Sequence, residues 1–331
     1  MSNNLKMDIC LSADDKFAKY MGTAMVSVLK NSLEDEEIVF HLLDGGISEE
    51  NKNKLLSLKK IKSCEIYFYT PDIKKYEEWF LKGDYGFWSP AAFYRLSIPS
   101  IIPNVDKILY LDCDIAVNVS LRELFEIDIE NYYALVAREF LEGDYFNSGV
   151  LMINSKLWRN TNIEEVFSEY FNKNYVNYKL IDQDLLNDVL KGKVKIIDKK
   201  WNFFPVLYNK PPEISINNYM ELKKKSIIHY IMYKPWDINS TALKSIFLDY
   251  YWYYYMFTPW ANGDIDLFDM LIKQKENTYN EISQLINEKN QLINEKNQLI
   301  NKLSINQKFI NKLAWWIPIK KLRDKFREPF F

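Results

Sequence analysis

Two aspartates one residue apart, Asp112 and Asp114, close the apolar run ILYLDCD. Side chains at i and i+2 of an extended chain point the same way, so the pair can present two carboxylates to one divalent cation, for which hard oxygen ligands are suited. The alternative is a solvated turn that ends a buried strand, and the spacing alone fits both. Cys113, between them, then points away as a small buried hydrophobe. A second stretch, SIIHYIMYKPWD over 226–237, runs an apolar strand-like segment into His229, Lys234, Pro235 and Trp236. Two carboxylates and an imidazole suit Mn2+, and Lys234 supplies a cation for phosphate oxygens. A lone histidine is structural more often than it is a ligand. The chain has only two, His41 and His229, which excludes a His-rich metal centre and confines any Ser-His-Asp scheme to that pair.

Such groups need elements to hold them. MDICLS over 7–12 reads as a strand, and DDKFAKYMGTAMVSVLKNS as a helix with apolar residues at helical spacing. EEIVFHLLD predicts a second strand, SEENKNKLLSLKK a second helix opened by a Ser-x-x-Asn cap, and CEIYFYTP a third strand. Strand and helix alternating in this way give βαβ units and a mostly parallel sheet. Ligands of such sheets bind beyond the carboxyl ends of the strands. Asp14 and Asp15 follow the first strand, and Asp112 and Asp114 follow KILYL, so both acidic groups fall where that rule puts a site. Further on, FNSGVLMIN (146–154) reads as a strand and LIDQDLLNDVLKG (180–192) as a helix ended by Gly192. The first strand-to-helix turn is acidic rather than glycine-rich, and no P-loop motif occurs, which disfavours a dinucleotide dehydrogenase or a P-loop enzyme.

With 331 residues, 48% of them hydrophobic, the chain can bury a substantial core. Its net charge of −2 hides an asymmetry, because residues 301–331 carry eight Lys/Arg against two Asp/Glu. The acidic remainder gives no reason to expect nucleic acid as a partner, whereas the basic tail suits an anionic surface. Three cysteines without a CxxC spacing indicate neither a disulfide framework nor a cysteine zinc site and fit a reducing cytoplasm. No apolar run approaches the ~20 residues of a spanning helix, and the N-terminus lacks a signal-type apolar region. The expected location is cytoplasmic.

From about residue 274 the character changes. QLINEKN at 284–290 recurs unchanged at 291–297, and QLINK begins a third copy. Leu285, Leu292 and Leu299 run beside Ile286, Ile293 and Ile300, with Lys289 and Lys296 where a strict coiled coil has its second apolar position. Either a short oligomerising coil over 284–303 or a helical spacer fits. In the last segment, Ile319, Leu322 and Phe326 share a helical face and basic residues lie mostly elsewhere, which suits a helix lying in an anionic membrane interface; the plainer alternative is a basic helix packed on the body. The expected division is a catalytic domain over 1–273, a heptad-like helix over 274–307 and a basic amphipathic tail over 308–331.

Seven segments in order along residues 7–237, namely ICLSADDKF, FHLLDGGISEEN, AAFYRLSIP, ILYLDCD, YFNSGVLMINSKLW, DQDLLN and HYIMYKPW, resemble the family 8 retaining glycosyltransferases, relatives of the bacterial lipopolysaccharide α-galactosyl- and α-glucosyltransferases and of glycogenin. The resemblance implies an α/β fold of the GT-A type, a nucleotide-sugar-binding domain with a mostly parallel central sheet, here followed by a helical C-terminal appendage. It implies a UDP-hexose donor, glucose or galactose, used with Mn2+ or with Mg2+ as a substitute. Asp112, Asp114 and His229 would hold the metal and Lys234 would contact the phosphates. Ser12, Ala13 and Asp14 would receive uracil and ribose, Arg95 would lie near the diphosphate and sugar, and Cys113 belongs to the donor-binding loop. Asn147, Asp182 and Gln183 would face the sugar, with Gln183 nearest the anomeric carbon. Plainer readings put Asn147 in a turn, Arg95 in a surface ion pair and Asp182 at a helix N-cap.

The chain departs from the family where the usual H-x-x-G-x-x-K-P-W shortens to five steps from His229 to Lys234 with Met232 in place of the glycine, and where Lys16 replaces the Asn of some relatives. The acceptor expected is a saccharide or a lipid-linked oligosaccharide, in lipopolysaccharide or other surface glycan synthesis at the inner face of the cytoplasmic membrane. Two rivals stand beside this. A nucleotidyltransferase would want a glycine- and arginine-rich phosphate loop where 12–16 reads SADDK, and a nucleotide-sugar-binding protein would lack turnover.

Overall fold

The computed structural model describes residues 4–83, 85, 89–138, 144–205, 225–231, 234–236, 247–261, 265–315 and 320. Met232 and most of the basic tail lie outside the described residues. In chain order the first elements are β1 (Leu5–Ala13), α1 (Ala18–Asn31), β2 (Glu36–Asp44), α2 (Glu49–Leu56), β3 (Cys64–Tyr69), α3 (Ile73–Gly83), α4 (Ile98–Ile101), β4 (Lys107–Leu111) and β5 (Ile115–Val117). They are followed by α5 (Arg122–Glu126), β6 (Ala134–Arg138), β7 (Phe146–Asn154), α6 (Ser155–Asn160), α7 (Ile163–Asn174), α8 (Ile181–Val189), β8 (Val194–Ile196) and β9 (Ile227–His229).

Among the described residues the central sheet has seven strands in the order β3-β2-β1-β4-β7-β6-β8. β1, β2, β3 and β4 run parallel, β7 runs antiparallel to both β4 and β6, and β8 is parallel to β6. This is the mostly parallel α/β sheet expected. β1 and β7 are buried almost throughout their length, as strands covered on both faces are. Chain order runs outwards from β1 through β2 to β3 and then returns to the other side of β1 with β4. The gap between β1 and β4 is therefore a switch point, where a crevice opens beyond the strand ends. A small second sheet pairs β5 with β9 antiparallel.

Local chemistry accounts for several element ends. Ser48 Oγ accepts from Asn51 N at 3.3 Å, and Glu49 and Glu50 occupy the first turn of α2, so the cap read from the sequence forms and the helix dipole is complemented. α1 begins at Ala18, later than its apolar periodicity suggested, because Asp14 Oδ1 accepts from Phe17 N at 3.0 Å and holds the preceding residues in a turn. Asp15 Oδ1 accepts from Ser48 N at 2.8 Å and from Asn51 Nδ2 at 2.7 Å, so the first acidic pair ties the β1 turn to α2. α8 stops at Val189, and Gly192 (φ +72°) serves the following turn into β8 rather than ending the helix itself. A buried cluster packs α3, the turn Pro90–Ser97, α7 and α8 against β4 and β7, with the Trp79 and Phe171 rings stacked at 4.1 Å.

The chain divides into two compact units, Met1–Asp264 and Ile265–Phe331. A single helix, Ile265–Trp315, makes up nearly all of the described part of the second. It starts ahead of the boundary expected at 274, at Ile265. No helix among the described residues is long and apolar enough to cross a membrane.

Candidate active site

Strand direction assembles the site. Because β7 runs against β4, the start of β7 lies beside the end of β4, with Leu111 opposite Val150 and Asp112 N donating to Gly149 O at 2.9 Å. Because β5 pairs antiparallel with β9, Ile115 faces His229 and the imidazole arrives next to the acids. His229 Nε2 lies 3.3 Å from Asp114 Oδ1 and 3.7 Å from Asp112 Oδ2. One ligand atom from each of these three residues falls within 4.8 Å of the others, a set that could hold a divalent cation of the hard or borderline kind. Gly149 makes the close approach feasible: a Cβ there would stand 2.1 Å from His229 Cε1 and 2.7 Å from Asp112 Oδ2.

Charge is balanced around the acids. Lys234 Nζ pairs with Asp114 Oδ2 and also donates to the carbonyls of Tyr230 at 3.1 Å and Ile231 at 3.2 Å. Burial opposes the Asp114 charge, but Lys234 and His229 outweigh it and hold the carboxyl well below the usual range. Arg95 is 4% exposed. Its guanidinium donates to Asp112 Oδ1 at 2.8 Å, to Ser148 O at 2.6 Å and to Ala92 O at 2.9 Å, and it lies over the Tyr110 ring. Burial works against this cation too, and the charges of Asp112 and Asp182 overcome it and push its pKa up. Arg95 is therefore a buried brace under the site and not a surface ion pair.

Burial pushes the Asp182 carboxyl up to about 6, against the pull of Arg95, whose Nε lies 3.3 Å from Asp182 Oδ2. That oxygen is buried and accepts no hydrogen bond among the described residues. Asp182 is not the helix cap. The N-cap of α8 is Leu180, without a side-chain bond, and Asp184 Oδ2 instead accepts from Lys179 N at 2.7 Å and Leu180 N at 2.8 Å. The turn into α8 carries Ile181 at φ +46°, a left-handed backbone that costs a β-branched residue about 1–3 kcal/mol. The surrounding contacts hold it there, and it aims Asp182 and Gln183 inwards.

Behind the metal-capable group runs a chain of hydrogen bonds with one direction. His229 Nδ1 lies 2.9 Å from Asn202 Oδ1, Asn202 Nδ2 donates to Asn147 Oδ1 at 2.9 Å, and Asn147 Nδ2 donates to Gln183 Oε1 at 2.9 Å. Gln183 Nε2 then donates to Tyr145 OH at 3.2 Å, and Tyr145 OH to Asp184 Oδ1 at 2.5 Å. Two backbone amides set the sense, because an N–H can only donate: Gly149 N donates to Asn147 Oδ1 at 2.9 Å and Ser148 N to Gln183 Oε1 at 3.2 Å. With both amides so oriented, Asn202 presents its oxygen to His229, so Nδ1 carries a proton and Nε2 is the nitrogen that faces Asp112 and Asp114, donating to them when protonated and offering its lone pair to a cation when not.

The structure thus brings Arg95, Asp112, Asp114, Asn147, Asp182, Gln183, His229 and Lys234 into one connected group. Asn147 sits inside β7 rather than in a turn. Ser12 joins the group through Tyr110, whose hydroxyl is 2.9 Å from Ser12 Oγ and donates to Asp112 Oδ1 at 3.1 Å. Cys113 is buried with its thiol 3.2 Å from Ser12 O, as a small hydrophobe would be. Ala13 ends β1 and Asp14 begins the next turn. Trp236, beside Lys234, stacks on Tyr20 at 3.6 Å and fills packing space. His41, the other histidine, bonds Asp8 and Tyr69 within the sheet. Gly149, Asn202, Tyr110, Tyr145 and Asp184 were not singled out from the sequence. Only Gly149 carried a signal, as an isolated glycine in a strand.

Comparison with known proteins bears on the family and the fold. The sequence model described as "Glycosyl transferase family 8" matches residues 8–240. A Haemophilus influenzae protein is 35% identical over 214 residues, which cover 60% of this chain and 64% of that protein. The lipopolysaccharide 1,3-galactosyltransferase of Salmonella typhimurium is 28% identical over 70% of this chain and 73% of its own length. Among solved structures, the galactosyltransferase LgtC in complex with donor and acceptor sugar analogs superposes with a TM-score of 0.63 at 28% identity, covering 76% of this chain and 96% of LgtC. The fold is of the GT-A type.

Two outcomes are expected. Asn202→Ala removes the acceptor that fixes the imidazole proton, so Mn2+ binding by the full chain, measured by calorimetry, should weaken about 10–100-fold; an unchanged affinity contradicts the relay. For Asp182, the folded carboxyl keeps its proton to about pH 6 while the unfolded one releases it near 3.8. The unfolded state therefore binds fewer protons between these values, and stability from this group is lost as pH rises through that window. Urea unfolding should show Asp182→Asn gaining on the wild type by about 2–3 kcal/mol between pH 4 and pH 7. An equal difference at both pH values refutes it.

Proposed function

Because the chain belongs to glycosyl transferase family 8, we propose that it transfers a hexose, glucose or galactose, from a UDP-sugar to a saccharide acceptor with retention of configuration, in lipopolysaccharide or related surface glycan synthesis. The observation that carries this reading is the meeting of Asp112, Asp114 and His229 at the sheet's switch point, with Lys234 beside them. The similarity to a lipopolysaccharide galactosyltransferase and to LgtC with sugar analogs supports the donor and acceptor classes.

A divalent cation such as Mn2+, bound by these three side chains, would supply positive charge to the departing diphosphate. The chain's own groups do the rest. Lys234 brings a second cation to the phosphates. The Gln183 carboxamide, with its oxygen already accepting from Asn147 and Ser148 and its nitrogen bonded to Tyr145, is fixed in orientation at the sugar. It is also a poor nucleophile, and Asp182 is buried against Arg95. Attack on the face from which UDP leaves, with a phosphate oxygen taking the acceptor's proton, is therefore favoured over double displacement. A covalent sugar adduct on Asp182 or Gln183, trapped by mass spectrometry, overturns that mechanism. The basic segment 308–331 is proposed to attach the enzyme to an anionic membrane surface.

Two measurements test the reading. UDP release from UDP-glucose or UDP-galactose should require Mn2+, cease with EDTA and fall at least about 100-fold in Asp114→Ala. Metal-dependent donor binding without release would mark a binding protein, and the absence of both would reject the assignment. Deleting 308–331 should move the protein from vesicles of anionic lipid to the soluble fraction while UDP release persists; undiminished vesicle binding excludes the tail as the anchor.

A further inference from the structure

The helix Ile265–Trp315 displays apolar side chains that nothing in the described structure covers. Leu285, Leu292, Leu299 and Leu303 are exposed by 63%, 65%, 60% and 67%. At 1.5 Å per residue a helix of 51 residues is about 76 Å long. A helix of that length with a leucine stripe in water lacks the burial from which most helical stability comes.

Its sequence holds a continuous heptad register. Beginning at Leu285, steps of four and three residues alternate through Lys289, Leu292, Lys296, Leu299, Leu303, Asn306, Ile310 and Leu313. Leucines occupy the d positions, save Asn306, and Lys, Lys, Leu and Ile occupy a. The two lysines that look like defects in an apolar seam are preceded in each case by an acid, Glu288 and Glu295, at position g. In a parallel pair of helices, g of one strand lies beside the following a of the other. Lys289 then meets Glu288 of the second strand, and Lys296 meets Glu295, with the same contacts repeated by symmetry. An antiparallel pair sets g against g and a against d, and loses all of these contacts. None of these four residues is in an ion pair among the described residues. Among the described residues the two acids accept only from glutamines on their own helix, Gln284 at 3.1 Å and Gln291 at 3.3 Å. The lysines are thus available to a partner of complementary charge, and the sequence that supplies that complement is this one.

We infer that residues 285–313 form a parallel two-stranded coiled coil with a second copy of this chain. The lysines at a favour two strands over three or four, because their long stems cover the seam while the ammonium groups reach the glutamates at its rim. The inference concerns a unit separate from the candidate active site and stands independently of the proposed reaction.

Light scattering on the 331-residue chain should give the mass of a dimer. In the pair of variants E288K/E295K and K289E/K296E, every g-to-a contact becomes like-charged, and the dissociation constant of each should rise on the order of 100-fold. Mixing the two restores opposite charges at all four contacts, so a heterodimer should form from proteins that separately do not associate. Far-UV circular dichroism at a concentration where the wild type is dimeric distinguishes loss of pairing from loss of fold in the first unit. A monomeric wild type, an assembly larger than two, variants that dimerise as well as the wild type, or a mixture that stays monomeric would each overturn the inference.

Discussion

The hydrogen bond between His229 Nδ1 and Asn202 Oδ1 is the interaction on which the site depends. It decides which imidazole nitrogen keeps a lone pair, and so whether the histidine can act beside Asp112 and Asp114 as a ligand or only as a donor. Its own direction is imposed from farther away, through Asn202, Asn147 and Gln183, by two backbone amides of β7. Each bond contributes only about 1 kcal/mol net, but a buried polar group left without its partner costs about 1–3 kcal/mol. The chain is therefore stable as a whole and expensive to interrupt. It also means that the imidazole at the metal-capable acids and the Gln183 amide are parts of one polar network.

The charges obey a similar constraint. Asp112, Asp114 and Asp182 are gathered where burial disfavours charge, and Arg95 and Lys234 make that tolerable. Arg95 is fully committed to protein acceptors, so its part is to permit the carboxylates to exist close together. Lys234 is different. It is about one-third exposed and reaches Asp114 from a segment outside the sheets.

Much of the fold was legible because its strands are unusually plain. EEIVFHLLD and FNSGVLMIN match β2 and β7 residue for residue, since continuous apolar runs between turn residues admit few other readings. The metal-capable trio was legible from residue type, position after a strand and the scarcity of histidines. What was not legible depended on pairing between distant segments. Asn202 lies in WNFF with nothing local to mark it, and it acquires its place only when β9 docks on β5 and Phe203 bridges Ile228. The plainer alternative for Asp182, a helix cap in the pattern LIDQD, does not hold, because the neighbouring Asp184 takes that duty. Asp14 and Asp15 looked equivalent to the later acid pair in position, yet both are engaged with backbone amides of the β1 turn and α2.

Both faces of β7 are buried along its full length. In a strand with one wet face, alternation of apolar and polar residues penalises a slip, whereas here a shifted pairing with β4 would bury similar apolar surface. Correct alignment must then be recognised by the strand's polar side chains, chiefly Asn147, which bonds Gln183, at one end and Asn154, which bonds the backbone at Ile129, at the other. The same side chains that shape the site act as the ruler by which the nascent sheet finds its alignment. Substitutions made there to alter chemistry will also alter the yield of properly assembled protein, and loss of activity in such variants has to be divided between the two.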